Sequence, residues 1–100
     1  MAKYVLAYTG GRMADTPEAQ RQAMAAWGAF LGGLGESLVD AGNPFGPSTA
    51  VGGGSARSGL SGYSIITAGS LDEAAEKAQG APVIANGGAV DVYEALEVEM

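Results

Sequence analysis

Gly62-Tyr63-Ser64-Ile65-Ile66-Thr67-Ala68-Gly69-Ser70-Leu71-Asp72-Glu73-Ala74-Ala75-Glu76-Lys77-Ala78 is the stretch in which the hydrophobic pattern changes period. Over Gly62 to Ala68 the side chains alternate, with Tyr63, Ile65 and Thr67 opposing Ser64, Ile66 and Ala68, which predicts a strand. Ser70 followed three residues later by Glu73 is a capping box, and it opens a helix with Leu71, Ala74, Ala75 and Ala78 inward. Asp72, Glu73, Glu76 and Lys77 face outward, and Glu73 precedes Lys77 in the favourable i, i+4 order. Gly80 and Pro82 end this helix.

A second strand-and-helix unit lies upstream. Lys3 to Thr9 reads as a strand with Tyr4, Leu6 and Tyr8 on one face and Val5 and Ala7 on the other, so both faces should be covered. Gly10 and Gly11 break it. Asp15 or Thr16 then caps a helix whose first turn holds Pro17 and Glu18. Ala23, Trp27, Phe30, Leu34 and Leu38 form one stripe of a helix predicted to run to about Asp40, stopped by Gly42 and Pro44. Gly28, Gly32 and Gly35 run beside the stripe, each costing about 1 kcal/mol against alanine. They mark either flexibility and tight packing on the chain's own sheet or the close approach of a second subunit's backbone.

Between the two units, Asn43 to Ser48 is a turn-rich loop, Thr49 to Val51 a weak strand, and Gly52 to Gly59 a glycine-rich tip. After Asn86-Gly87-Gly88 a last strand is predicted with Val90, Val92, Leu96 and Val98 on one face. Asp91, Tyr93, Glu97 and Glu99 take the other. The order is then β-α-β-β-α-β across one domain, residues 1–100. It predicts an α+β, ferredoxin-like fold, a four-stranded antiparallel sheet with two helices on one face. The other face keeps valine, isoleucine and tyrosine positions, and a homodimer with two sheets face to face would cover it.

Composition excludes much chemistry. With 100 residues, the chain has no cysteine and no histidine. A disulfide scaffold, a thiolate metal site, a cysteine nucleophile and imidazole catalysis are all ruled out. The formal charge of -6 repels phosphate backbones and anionic lipid, so neither nucleic acid nor a membrane is an expected partner. Gln22 to Gly35 is the longest apolar-looking uncharged stretch and falls short of the roughly 20 residues of a membrane helix. The first ten residues lack a signal-peptide core, which points to the cytoplasm.

Several residues resemble a known family. Trp27, Phe30-Leu31, Leu34-Gly35, Val39, Gly42-Asn43-Pro44 and Gly46-Pro47 are similar to the first half of the YCII-related (DGPF-like) family. Gly62-Tyr63-Ser64-Ile65-Ile66-Thr67-Ala68, Ser70-Leu71-Asp72-Glu73-Ala74, Ala81-Pro82-Val83 and Gly87-Gly88-Ala89-Val90-Asp91-Val92 are similar to its second half. The resemblance implies a ferredoxin-like chain in a dimeric α+β barrel, and for one branch a lyase or dehalogenating activity with a His-Asp arrangement. This chain carries Asn86 where many relatives have histidine, and only Gly52 to Ser61 in place of their D-G-P-F signature.

Candidate sites are few. Gly52 to Gly59 matches neither phosphate-loop spacing, and Arg12 and Arg57 are isolated loop cations. Asp91, Glu94, Glu97 and Glu99 do not converge on one face, so no metal or other cofactor is expected. Glu36 and Asp40 are four apart on the first helix and read as solvated. Tyr8, Trp27, Asn43, Phe45, Tyr63 and Asn86 have the make-up of an apolar ligand cleft with a few polar fixings. Their ligand would be a small aromatic or carbonyl-bearing molecule, bound without histidine-based catalysis. The alternative is a weak lyase, isomerase or dehalogenase-type enzyme with Tyr8 or Tyr63 as acid and a carboxylate such as Asp40 as base.

Overall fold

The computed structural model describes residues 1–11, 15–52 and 59–98. Its elements are β1 (Ala2–Thr9), α1 (Pro17–Leu34), a short 3-10 helix (Gly35–Ser37), β2 (Leu38–Asp40), β3 (Leu60–Ala68), α2 (Leu71–Ala78), α3 (Pro82–Ala85) and β4 (Ala89–Ala95). The strands form one antiparallel four-stranded sheet in the order β2-β3-β1-β4. This α+β arrangement is compatible with the ferredoxin-like fold expected from the sequence.

The register explains where the core sits. Tyr4, Leu6 and Tyr8 pair with Ile66, Ser64 and Gly62 on one side and with Glu94, Val92 and Val90 on the other. All share one face of the sheet, because side chains alternate along a strand. Leu6, Ile66 and Ala68 on that face are 0% exposed. They pack with Ala74 and Ala78 of α2, Val83 of α3, and Leu34 of α1. The molecule measures 19 Å along its short axis, the depth of one sheet and one helical layer.

The helix starts follow the caps read from the sequence. Thr16, not Asp15, caps α1, its Oγ1 accepting from the Ala19 N–H at 3.0 Å, with Pro17 in the first turn. Ser70 Oγ accepts from the Glu73 N–H at 3.1 Å, and the Glu73 carboxylate accepts from the Gly69 N–H. Of the inward residues expected on α2, Ala74 and Ala78 are buried, whereas Leu71 and Ala75 are exposed.

Four expectations are corrected. First, α1 stops at Leu34, because Gly35 takes a φ of +55° that breaks the helical path. Leu38 therefore reaches the core from β2, opposite Ile66, and Glu36 and Asp40 do not share a helix. Second, the second strand is Leu38–Asp40 and not Thr49–Val51: Val51 is 94% exposed and belongs to no strand. Third, α2 already ends at Ala78, and Pro82, expected as a stop, starts α3, where its fixed φ suits the first helical turn. Fourth, β4 ends at Ala95, so Leu96 and Val98 lie beyond it, both exposed. Arg12, Arg57, Glu99 and most of the Gly52 to Gly59 tip lie outside the described residues.

Candidate functional site

α1 rests on the sheet through its second half only. Trp27, Phe30 and Leu31 are half-buried, and Leu34 is its one buried residue. Trp27 stacks edge-on against Tyr8 with ring centroids 4.9 Å apart, and Phe30 stands edge-on to Trp27 at 5.9 Å. Beside this aromatic column, at the end of the sheet where β1 finishes, lies a cleft of about 460 Å³. Ligand sites for small molecules typically occupy roughly 300–1,000 Å³.

Backbone geometry shapes the cleft walls. Tyr8 pairs with Gly62 and Thr9 with Leu60, so Ser61 is an extra residue in β3, and its Oγ donates to the Tyr8 carbonyl at 3.3 Å. Such a bulge bends the strand and widens the end of a sheet. The facing wall is the 41–44 loop. Its turn is set by Asp40, whose Oδ1 accepts from the Gly42 N–H at 2.8 Å. Gly42 has a φ of +75°, and a Cβ there would stand 1.7 Å from the Tyr63 carbonyl oxygen, so only glycine lets the loop lie this close to β3.

The polar groups of the cleft form a relay. The Tyr8 hydroxyl donates to Ser64 Oγ at 2.8 Å, and the Ser64 hydroxyl donates to the Ala41 carbonyl at 2.7 Å. Burial raises the Tyr8 phenol above the ordinary tyrosine value of 10.0. Both side chains are buried, Ser64 at 1% exposure and Tyr8 at 5%.

Of the residues expected to form a site, Tyr8, Trp27, Asn43, Tyr63 and Asn86 line the cleft. Phe45 does not. It stacks on Tyr63 with centroids 5.7 Å apart and an interplanar angle of 24°. The rings of Tyr8 and Tyr63 do not meet either. Tyr63 pairs with Ala7 and Tyr8 with Gly62, which sends the two side chains to opposite faces of the sheet. The Tyr63 hydroxyl instead donates to Asp40 Oδ2 at 3.4 Å, in an exposed position.

Ser64 was missed as a site residue. Its signal was present, since it is the polar member of the inward set Ser64, Ile66 and Ala68, and a buried hydroxyl requires a partner. Gly10, Gly11, Leu31 and Val83 also line the cleft. No carboxylate and no cationic side chain does so among the described residues. Asp91 and Glu94 lie on opposite faces of β4, opposite Ala7 and Tyr4. Among the described residues no three acidic side chains gather closely enough to hold a metal ion, and no helix is long and apolar enough to cross a membrane.

A second, larger groove of about 910 Å³ runs between α1 and the α2–α3 segment, past Ala23, Ala26, Phe30 and Lys77. Among the described residues it carries no buried hydrogen-bonding relay comparable to the Tyr8–Ser64 pair. Comparison with protein-family models, curated proteins and solved structures finds no match to the chain.

Proposed function

We propose that this protein binds a small, mostly apolar molecule, aromatic in its best-fitting form, in the cleft between α1 and the end of the sheet. The observation that carries this reading is the composition of the lining: Trp27, Leu31 and Val83 supply apolar surface, and Tyr8, Ser64, Asn43 and Asn86 supply a few fixed polar groups. That is the make-up of a small-ligand site. The absence of histidine from the chain supports binding without histidine-based catalysis. Among the described residues, the enzymatic alternative finds a phenol hydrogen-bonded to a carboxylate at Tyr63 and Asp40, where Asp40 is exposed and outside the lining. A melting-shift screen of small aromatic compounds tests the reading, repeated with Trp27→Leu and Asn86→Ala. A hit weakened by either change supports it, and a hit insensitive to both puts the ligand elsewhere.

The second reading is a homodimer that joins two sheets, as the resemblance to the YCII-related family implies. Val5, Ala7, Ile65 and Tyr93 share the sheet face opposite the helices, and Tyr93 is 60% exposed. Apolar sheet faces of this kind are normally covered. Sedimentation equilibrium of the parent chain should give twice its 9.9 kDa mass, and Ile65→Lys should return it to one. A parent chain that stays monomeric at high micromolar concentration overturns the dimer.

A further inference from the structure

We infer that the cleft selects a neutral ligand presenting an O–H or N–H donor to its inner end, where the Tyr8 phenolic oxygen acts as acceptor. The inference rests on the reading of the cleft as a binding site and adds the chemical class of what it takes.

The argument follows the protons. A backbone carbonyl can only accept, so the 2.7 Å contact between Ser64 Oγ and the Ala41 oxygen consumes the single Ser64 hydroxyl proton. With that proton committed, the 2.8 Å contact between Tyr8 and Ser64 requires Tyr8 to be the donor. Both hydroxyl protons are then used within the protein. What Tyr8 offers to a ligand is a lone pair.

A carbonyl or ether oxygen placed there would meet another acceptor with no proton between them, and a buried acceptor left in that state is costly. A carboxylate oxygen placed there would fare worse, because it is an acceptor that also carries charge. Burial also keeps Tyr8 a neutral phenol across the physiological range, so the relay is in place whenever the ligand arrives. Asn43 and Asn86 are exposed at the mouth and, as amides, suit either donors or acceptors. The inner end therefore discriminates and the rim does not.

The test uses four probes of one size, phenol, anisole, benzaldehyde and benzoate, in an amide-resolved NMR titration of the full chain. Phenol should shift the Gly10, Gly42 and Gly62 amides and bind about tenfold more tightly than anisole or benzaldehyde, the value of one hydrogen bond. Ser64→Ala removes the acceptor of the Tyr8 proton and turns Tyr8 into a donor, so the preference for phenol over benzaldehyde should collapse or reverse. The ranking on the parent chain needs no variant, so it tests the inference even where Ser64→Ala does not fold. Equal binding of phenol and anisole, tighter binding of benzaldehyde than phenol to the parent, or an unchanged ranking in a folded Ser64→Ala overturns the inference and leaves the binding cleft standing. If no probe shifts those amides, the cleft reading falls and the inference with it.

Discussion

The Tyr8 hydroxyl and Ser64 Oγ, 56 residues apart in the chain, meet at 2.8 Å on the helix-facing side of the sheet. Tyr8 is the penultimate residue of β1 and Ser64 lies in the adjoining β3, so the contact ties the two central strands at the end where the cleft opens. Through Ser64 it also holds the carbonyl of Ala41, and with it the loop that forms the facing wall.

Because the three groups form one chain, their energies should not add. Tyr8→Phe is expected to cost about 1 kcal/mol and Ser64→Ala about 1–2 kcal/mol, the usual range for a hydrogen bond lost beside a group left unpaired. The double variant should lose less than the sum, because each single change already breaks the shared link. Urea unfolding of the three variants measures this, and fully additive losses would show that the link is not felt.

The core centre and the cleft wall should respond differently to truncation. Leu6 is 0% exposed, whereas Trp27 is only half-buried and faces the cleft. Leu6→Ala should cost about 3–4 kcal/mol, within the range for a buried leucine, and Trp27→Ala about 2 kcal/mol, below that for a fully buried tryptophan. The sequence stripe taken alone would have placed Trp27 in the core and reversed this order. Denaturant midpoints of the two variants decide it.

Glycines in this chain serve opposite ends. A Cβ at Gly42 would stand 1.7 Å from the Tyr63 carbonyl oxygen, while one at Gly28 would meet nothing within 4 Å. Gly42→Ala should therefore fold poorly and lose the 41–44 loop geometry, because φ is positive there as well as crowded. Gly28→Ala should raise stability by about 0.5–1 kcal/mol through helix propensity alone. Thermal unfolding of both variants is the check. A loss at Gly28 would mean that a second chain packs closely on α1.

Alkali should weaken the fold through Tyr8. Its phenol is raised above 10.0 in the folded chain by burial. A group that holds its proton more tightly when folded adds stability below its unfolded pKa and loses it as pH rises through the folded value. Stability should thus be flat on this account up to about pH 10 and fall above it. Tyr8→Phe should reduce that fall in a urea series across pH 8–12, leaving the part contributed by Tyr4, whose phenol burial also raises. An unchanged alkaline slope would show that Tyr8 does not titrate with unfolding.

Some of this molecule could be read in one dimension. The alternation through Tyr4, Leu6 and Tyr8, the alternation through Ser64, Ile66 and Ala68, and the caps at Thr16 and Ser70 are local signals, complete within a few residues, and the structure carries each of them. The order of elements followed, apart from α3 and the place of β2. Leu38-Val39-Asp40 was hidden because Leu38 continues the spacing of the α1 stripe. A single glycine conformation at Gly35 converts that stripe into a strand. Five of the six residues offered for the cleft line it, although the Tyr63 side chain points to the other face of the sheet.

Pairing register was out of reach, and the site depends on it. Whether Tyr63 shares a face with Tyr8 turns on Tyr8 pairing with Gly62 and on the extra residue Ser61, and a slip of one position would exchange the two faces of β3. Register is set by apolar burial summed over three neighbouring strands, a sum that no short window of sequence contains. The periodicities therefore settled which residues form strands and helices and which of their faces are apolar. Only long-range packing decided that Ser64 would stand under Tyr8, that its proton would go to Ala41, and that the phenol would be left to accept.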